Sequence, residues 1–305
     1  HIKKALNIAK KVLDFEISHP DINHSVGLMS LQLGNFKEGW KYYEYRWKVS
    51  PGNKEIWPFG DNPLWKGEKG SRVVLWREQG IGDDIIFLSL LSEVQEMCSS
   101  LSVYVDPRLH PLCRRAMPEI NFVKDMEELK EVESDYHLPL GSVPGLIRND
   151  ISDFNRTVTG YLKADPKRVE AIREELGLEG KIVIGVSWRS FKSLNKTRKS
   201  IQLRDMGRLF KGLDVVLVNL QYGDVHDEIR EFKEAMGIDV LQCASVDNRE
   251  DLDGLAALIE VCDIVVSTTN VTVHMAGALA KETWVLLPYV ANFWWLLVRT
   301  GCVWD

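Results

Sequence analysis

The chain has 305 residues, 45% hydrophobic and 27% charged, which is ordinary globular usage and excludes disordered, collagen-like and low-complexity architectures. The length suits two domains of roughly 100–200 residues each. Lys and Arg total 38 against 44 Asp and Glu, a net charge of −6 that argues against a general nucleic-acid or membrane-surface binder.

Residues 1–50 carry helical periodicity and few strand formers. A 34-residue window from Pro20 fits the tetratricopeptide pattern, with Gly27 at the small position of a first helix and Leu33-Gly34-Asn35-Phe36 at the turn. Gly39 takes the small position of a second helix, Tyr43 its aromatic position, and Pro51 the end. Ala5 and Ala9 would belong to an earlier, incomplete repeat. A plain helical hairpin is the simpler alternative. So short a solenoid cannot bury its own core, and it is expected to pack on the rest of the chain.

Residues 51–70 read as a linker rich in Pro and Gly, held down by Trp57 and Trp65. Strands are then expected at Arg72–Trp76, Ser102–Val105, Asn121–Val123 and Tyr136–Leu138, with a helix from about Asp83 to Met97. Asp165-Pro166 signals a helix start, and that helix should end near Gly177. A second alternating block follows, with strands at Ile182–Trp188, Val215–Gln221, Asp239–Leu241, Asp263–Ser267 and Thr283–Leu287. Helices are expected over Asp224–Met236 and Asn248–Val261. The alternation predicts α/β units with parallel sheets and a ligand cleft at the carboxyl ends of the strands. The segments expected are 1–53, 54–163 and 164–305.

The five cysteines, Cys98, Cys113, Cys243, Cys262 and Cys302, are scattered and lack zinc-finger spacing. Reduced thiols of a cytoplasmic protein are the simplest account. No signal-peptide pattern opens the sequence. The longest apolar stretch, Trp284–Val298, is interrupted by Pro288 and Asn292 and is short of the ~20 residues of a membrane helix, so the chain is not expected to be transmembrane. The first residue is His1, not Met, so the chain is expected to be a piece of a longer protein or to begin at an ordered residue.

Three segments could carry chemistry. The first is Glu78-Gln79-Gly80-Ile81-Gly82-Asp83, a glycine turn between a strand and a helix. Its acids Asp83 and Asp84 would repel a pyrophosphate, so a dinucleotide site is not expected there; a carboxylate so held suits general-base work, or simply caps the helix. The second is the loop Arg189–Lys199, with five bases and no acid, just past a strand end. It reads as a diphosphate-binding loop or as a solvated basic loop. The third is Ser267-Thr268-Thr269-Asn270-Val271-Thr272-Val273-His274, where hydroxyl side chains lead into a helix N-terminus that can hold an anion. Asp251 and Asp253 have the spacing of a metal-binding pair, but helix-dipole stabilisation explains them, and no metal is assigned.

Four motifs in order resemble a known family: Gly34-Asn35-Phe36-x-x-Gly39-Trp40 with Tyr43-Glu44-Tyr45-Arg46-Trp47, Glu78-Gln79-Gly80-Ile81-Gly82-Asp83, Asn219-Leu220-Gln221-Tyr222-Gly223-Asp224, and Thr272-Val273-His274-Met275-Ala276-Gly277-Ala278-Leu279 followed by Trp284-Val285-Leu286-Leu287-Pro288. They look like bacterial tetratricopeptide-repeat glycosyltransferases, similar to the heptosyltransferase family, glycosyltransferase family 9. The resemblance implies a GT-B-like pair of Rossmann-type domains with an N-terminal tetratricopeptide element. It implies a metal-independent transferase, inverting if the base acts directly, with a nucleotide-diphosphate sugar as donor and no other cofactor. Asp83 would be the catalytic base, on an acceptor-side turn with Gln79, Gly80 and Gly82. The donor would be held by Ser187, Arg189, Lys192, Gln221, Tyr222, Thr268, Thr269, Asn270, Thr272 and His274. The acceptor would be a saccharide, a lipid-linked group or a protein, and the repeat could bind a protein partner. Two positions depart from the family pattern: Thr269 stands where an acid is usual, and Trp294 where an Arg is usual. They favour the alternative of a non-catalytic binding module; a sugar-nucleotide epimerase is a third reading of the same fold.

Overall fold

The structure is a computed structural model that describes residues 1–15, 19–49, 58–154, 160–190, 200–289, 291–296 and 302–304. Pro51, Trp57, Lys192 and the rest of the basic loop from Phe191 to Lys199 lie outside the described residues. The chain divides into two compact units. The first takes residues 1–105, 119–157 and 290–304; the second takes 106–118, 158–289 and 305.

The first unit opens with helices α1 (Ile2–Leu13), α2 (Pro20–Gln32), α3 (Phe36–Tyr43) and the short α4 (Arg46–Val49). Helices α2 and α3 form the expected hairpin, and the two glycines explain how closely its helices approach. A Cβ on Gly27 would lie 2.7 Å from the Tyr43 backbone nitrogen, and one on Gly39 would lie 2.9 Å from that of Leu31. Gly34, at φ +80°, makes the turn between them.

Strand β1 (Ser71–Trp76) follows, then α5 (Ile81–Leu88) and α6 (Leu91–Met97). The single helix expected over 83–97 is thus two, and the first starts two residues earlier, which puts Asp83 in its first turn. The break falls at Ser89, whose hydroxyl donates to the Ile86 carbonyl at 2.6 Å. Strand β2 runs Cys98–Tyr104; α7 (His110–Ala116) belongs to the second unit. The first unit resumes with β3 (Asn121–Phe122), α8 (Met126–Glu131), β4 (Tyr136–Pro139) and α9 (Pro144–Ile147). Its sheet is parallel, in the order β3-β2-β1-β4. Of the two tryptophans expected to hold the linker, Trp65 is buried, and Leu64 bridges His137.

The second unit contains α10 (Pro166–Leu176), β5 (Val183–Ser187), α11 (Leu203–Gly207), β6 (Val216–Asn219), α12 (His226–Met236), β7 (Val240–Leu241), α13 (Leu252–Glu260), β8 (Ile264–Thr268), α14 (Val271–Ala278) and β9 (Thr283–Leu286). Its sheet is also parallel, in the order β7-β6-β5-β8-β9. Asp165 caps α10 by accepting from the Lys167 N–H, and Gly177 ends it at φ +61°.

Two stretches fall in units other than their expected segments. Residues 291–304, expected with the second α/β block, cluster with the first unit because Phe293, Trp294 and Trp304 are buried there. Trp40 meets Phe293 and Trp304 edge-on with ring centres 6.1 and 6.0 Å apart, and Trp294 meets Phe87 at 5.6 Å. Trp294, in the place where an Arg was expected, is therefore a core residue. Residues 106–118 cluster with the second unit, where Arg115 pairs with Asp253 at 2.9 Å.

Candidate functional site

In an open parallel sheet, ligands meet the carboxyl ends of strands where the strand order reverses. Each unit has such a point, at β1/β4 in the first and β5/β8 in the second. The expected site residues fall into two groups around these points.

In the first unit, the turn after β1 carries Glu78, Gln79 and Gly80 and leads into α5. Asp83, half-buried, accepts a hydrogen bond from the Gly80 N–H at 3.1 Å, so it closes the turn as a cap. Asp84 is buried and pairs with Arg77 at 2.8 Å. Gly82 lies in the first turn of α5. Gln79 bonds the Tyr43 hydroxyl through its Nε2 at 2.7 Å. Burial pushes the Tyr43 hydroxyl far above the usual phenol range, so it stays protonated.

Sequence reasoning missed the group that holds this turn. Arg46 from α4 is buried and contacts the buried carboxylate of Glu78 at 2.9 Å. It also reaches Glu44 at 2.7 Å and the Ser142 hydroxyl at 2.8 Å, and its guanidinium lies over the rings of Tyr43 and Trp47. Gly141, just after β4, lies close to the same group: a Cβ there would lie 2.4 Å from Glu78 Oε1 and 2.6 Å from Gln79 Nε2, so both side-chain ends would have to shift. Arg46 stood inside the aromatic motif of the helical segment, and nothing in its local sequence says that its partner lies 32 residues away.

In the second unit, Ser187 ends β5, Gln221 follows β6, Thr268 ends β8, and Asn270 caps α14. All four are buried, as are Thr269, Thr272 and His274. The Asn270 side chain accepts from the Thr272 N–H at 3.0 Å and donates to Ser187 Oγ at 2.7 Å. Gln221 Oε1 accepts from Ser187 Oγ at 3.1 Å, and from the backbone N–H groups of Trp188 and Arg189 at 3.0 and 2.8 Å. The hydroxyls of Thr268 and Thr269 are buried with no hydrogen-bond partner among the described residues. An unsatisfied buried polar group costs about 1–3 kcal/mol, and this pair lies beside a helix N-terminus, which favours negative charge.

Arg189 is turned elsewhere. Its guanidinium pairs with Glu228 and donates to the Asp224 carbonyl at 2.7 Å, and Glu228 also accepts from Trp188 Nε1 at 2.7 Å. Tyr222 lines a cavity of about 800 Å³ beyond the ends of β6 and β7. Asn248 lines it too, and its amide donates to the carbonyls of Asn219 and Gln221 at 3.1 and 3.3 Å. Asp251 and Asp253 are ion-paired with Arg168 and Arg115, and the hydrogen bond from Arg168 holds the Asp251 carboxyl below its ordinary range. Among the described residues no group of three or more His, Cys, Asp or Glu comes together to hold a metal ion.

No family model matches the chain. It is 30% identical over 279 residues to Protein FlbA of Caulobacter vibrioides (strain ATCC 19089 / CIP 103742 / CB 15), which covers 84% of this chain and 46% of FlbA. The chain thus spans about half the length of that relative. Among solved structures it is similar to the glycosyl transferase family 9 protein from Veillonella parvula, with a TM-score of 0.53, 12% identity, and coverage of 72% of this chain and 81% of that one. It is also similar to the E. coli ADP-heptose lps heptosyltransferase II, with a TM-score of 0.51, 13% identity, and coverage of 70% and 84%. The fold is GT-B-like. At these identities the likeness is one of fold, and the GT-B-like sheets put both groups of side chains at strand carboxyl ends. No described helix is long and apolar enough to cross a membrane.

Proposed function

We propose that the chain is a cytoplasmic glycosyltransferase that moves a sugar from a nucleotide-diphosphate sugar to a hydroxyl acceptor without a metal ion. The observation that carries this reading is the pair of buried hydroxyls of Thr268 and Thr269 at the N-terminus of α14, which have no hydrogen-bond partner among the described residues, in a chain with a GT-B-like fold. The diphosphate would lie against that N-terminus, with Thr272 in its first turn and His274 behind it, and Lys192 would add positive charge, while Arg189 is held by Glu228. The nucleoside would enter the cavity lined by Tyr222 and Asn248.

Asp83 would take the proton of the acceptor hydroxyl. The freed oxygen attacks the anomeric carbon while the bond from that carbon to the diphosphate oxygen breaks, and the configuration inverts. The leaving diphosphate carries the electron pair away and would be stabilised by the helix dipole and Lys192. The acceptor would be a saccharide, a lipid-linked group or a protein. The α2–α3 hairpin would be a tetratricopeptide-like element that offers its surface to a protein partner.

Isothermal titration of ADP, UDP and GDP, with and without EDTA, tests the donor site. At least one should bind with an affinity that EDTA leaves unchanged. Binding lost in EDTA would overturn the metal-free reading, and no binding at all would overturn the donor site.

A further inference from the structure

Arg189 follows the last residues of β5, and its backbone is held at both ends by side-chain amides. Its N–H donates to Gln221 Oε1 at 2.8 Å, and its carbonyl accepts from Asn270 Nδ2 at 3.2 Å. The two amides come from different crossovers, one after β6 and one after β8. Both also bond the Ser187 hydroxyl, at 3.1 and 2.7 Å. Asn270 at the same time caps α14 through the Thr272 N–H. One side chain therefore ties the Arg189 carbonyl directly to the first turn of that helix.

Gln221 was expected among the residues that hold the donor, but its carbonyl oxygen is spent inside the protein. It is 1% exposed. Its carbonyl oxygen, which has two lone pairs, already serves three donors. Its Nε2 donates to the Tyr222 carbonyl at 3.2 Å. A buried amide whose carbonyl oxygen already serves three donors has little to offer a base or ribose.

We infer that Gln221 and Asn270 are positioning residues: together they clamp the exit of β5 to the N-terminus of α14, so that the two form one rigid wall of the anion subsite. This rests on the donor-site reading above. The ligand chemistry it serves is the diphosphate, not the nucleoside, and the clamp acts on backbone rather than touching the ligand.

Amide hydrogen exchange on the unliganded chain, paired with titration of inorganic pyrophosphate, ADP and UDP, tests this. Gln221→Leu removes the acceptor, and exchange at the Trp188 and Arg189 amides should rise about tenfold while Gly185 within β5 is unchanged. Gln221→Glu keeps an acceptor oxygen and should keep both amides protected. Asn270→Ser preserves the helix cap but loses the amide donor, so Thr272 should stay protected while pyrophosphate binding weakens. Asn270→Ser decides the matter if Gln221→Leu does not fold. In Gln221→Leu the affinities for pyrophosphate, ADP and UDP should fall by the same factor, about tenfold. Unchanged exchange at Trp188 and Arg189 would overturn the clamp. Unchanged pyrophosphate affinity with weakened ADP and UDP would also overturn it, because Gln221 would then contact the nucleoside. If the unaltered chain binds none of the three, the donor-site reading falls, while the exchange rates still decide the clamp.

Discussion

Asp83 and Gln221 are two polar side chains in strand-end turns that the structure treats differently. Gln221 is buried and its carbonyl oxygen serves three donors, whereas Asp83 is half-buried and accepts from the Gly80 N–H. Asp83→Asn preserves that cap, because the amide oxygen accepts the same hydrogen bond. The variant should fold and bind nucleotide normally, while sugar transfer falls by roughly 10²–10⁴-fold. A radiolabelled-sugar assay on both proteins reads this out, and full transfer by the variant would leave Asp83 a cap only. His137 gives a pH prediction at the same scale. It is fully buried, with Nδ1 facing Trp76 Nε1 at 3.2 Å and Nε2 facing the Asn62 carbonyl at 3.1 Å, and burial lowers its pKa below the ordinary 6.5. The unfolded chain therefore takes up this proton more readily than the folded one. Its contribution is intact above about pH 6.5 and is lost as the pH falls through the lowered folded value. The melting temperature should drop on acidification from pH 7 to 5, and His137→Gln should flatten that slope. A slope identical in the two proteins would remove His137 from the acid response.

The α2–α3 hairpin shows why element-level patterns were readable. Gly27 and Gly39 stand where a close helix pair needs no side chain, and the structure has backbone there. Gly27→Ala would push a methyl group into the Tyr42–Tyr43 backbone, which cannot swing aside as a side-chain end can. Such overpacking costs typically 1–3 kcal/mol. Urea titration should show that loss, and an unchanged midpoint would mean the helices separate without penalty. The strands were legible because parallel strands covered on both faces read as continuous apolar runs, such as Ile182–Trp188 and Asp263–Ser267. The break at Ser89 was not legible, because the residues on either side are equally good helix formers and only packing decides between one helix and two.

For the whole molecule, the helical segment is structural to the first unit rather than an appendage. Trp40 donates to the Arg148 carbonyl at 2.8 Å, Gln32 donates to the Ala291 carbonyl at 2.9 Å, and Arg46 neutralises the buried Glu78. Deleting residues 1–49 would uncover Phe293 and Trp304 and leave the Glu78 carboxylate without its cation. Removing one partner of a buried ion pair alone costs about 3–5 kcal/mol. The shortened chain should aggregate or melt well below the intact one, and an unchanged melting temperature in calorimetry would refute this.

The sequence by itself determined the α/β alternation, the helical hairpin, the cap at Asp165, and two segments, the turn after β1 and the stretch from β8 into α14, that end up at strand carboxyl ends. These rest on local periodicity, turn chemistry and propensity, which act over a few residues. What only the tertiary structure decided is which side chains are spent on the fold. Arg189 was read as a free cation, yet Glu228 on α12 holds it. Gln221 was read as a ligand contact, yet three donors saturate it. Trp294 was read as a lost site residue, yet it fills the first unit's core. The reason is physical: hydrogen-bond and packing partners are set by which strand ends meet at a switch point, and that pairs residues tens of positions apart, where no local pattern reaches.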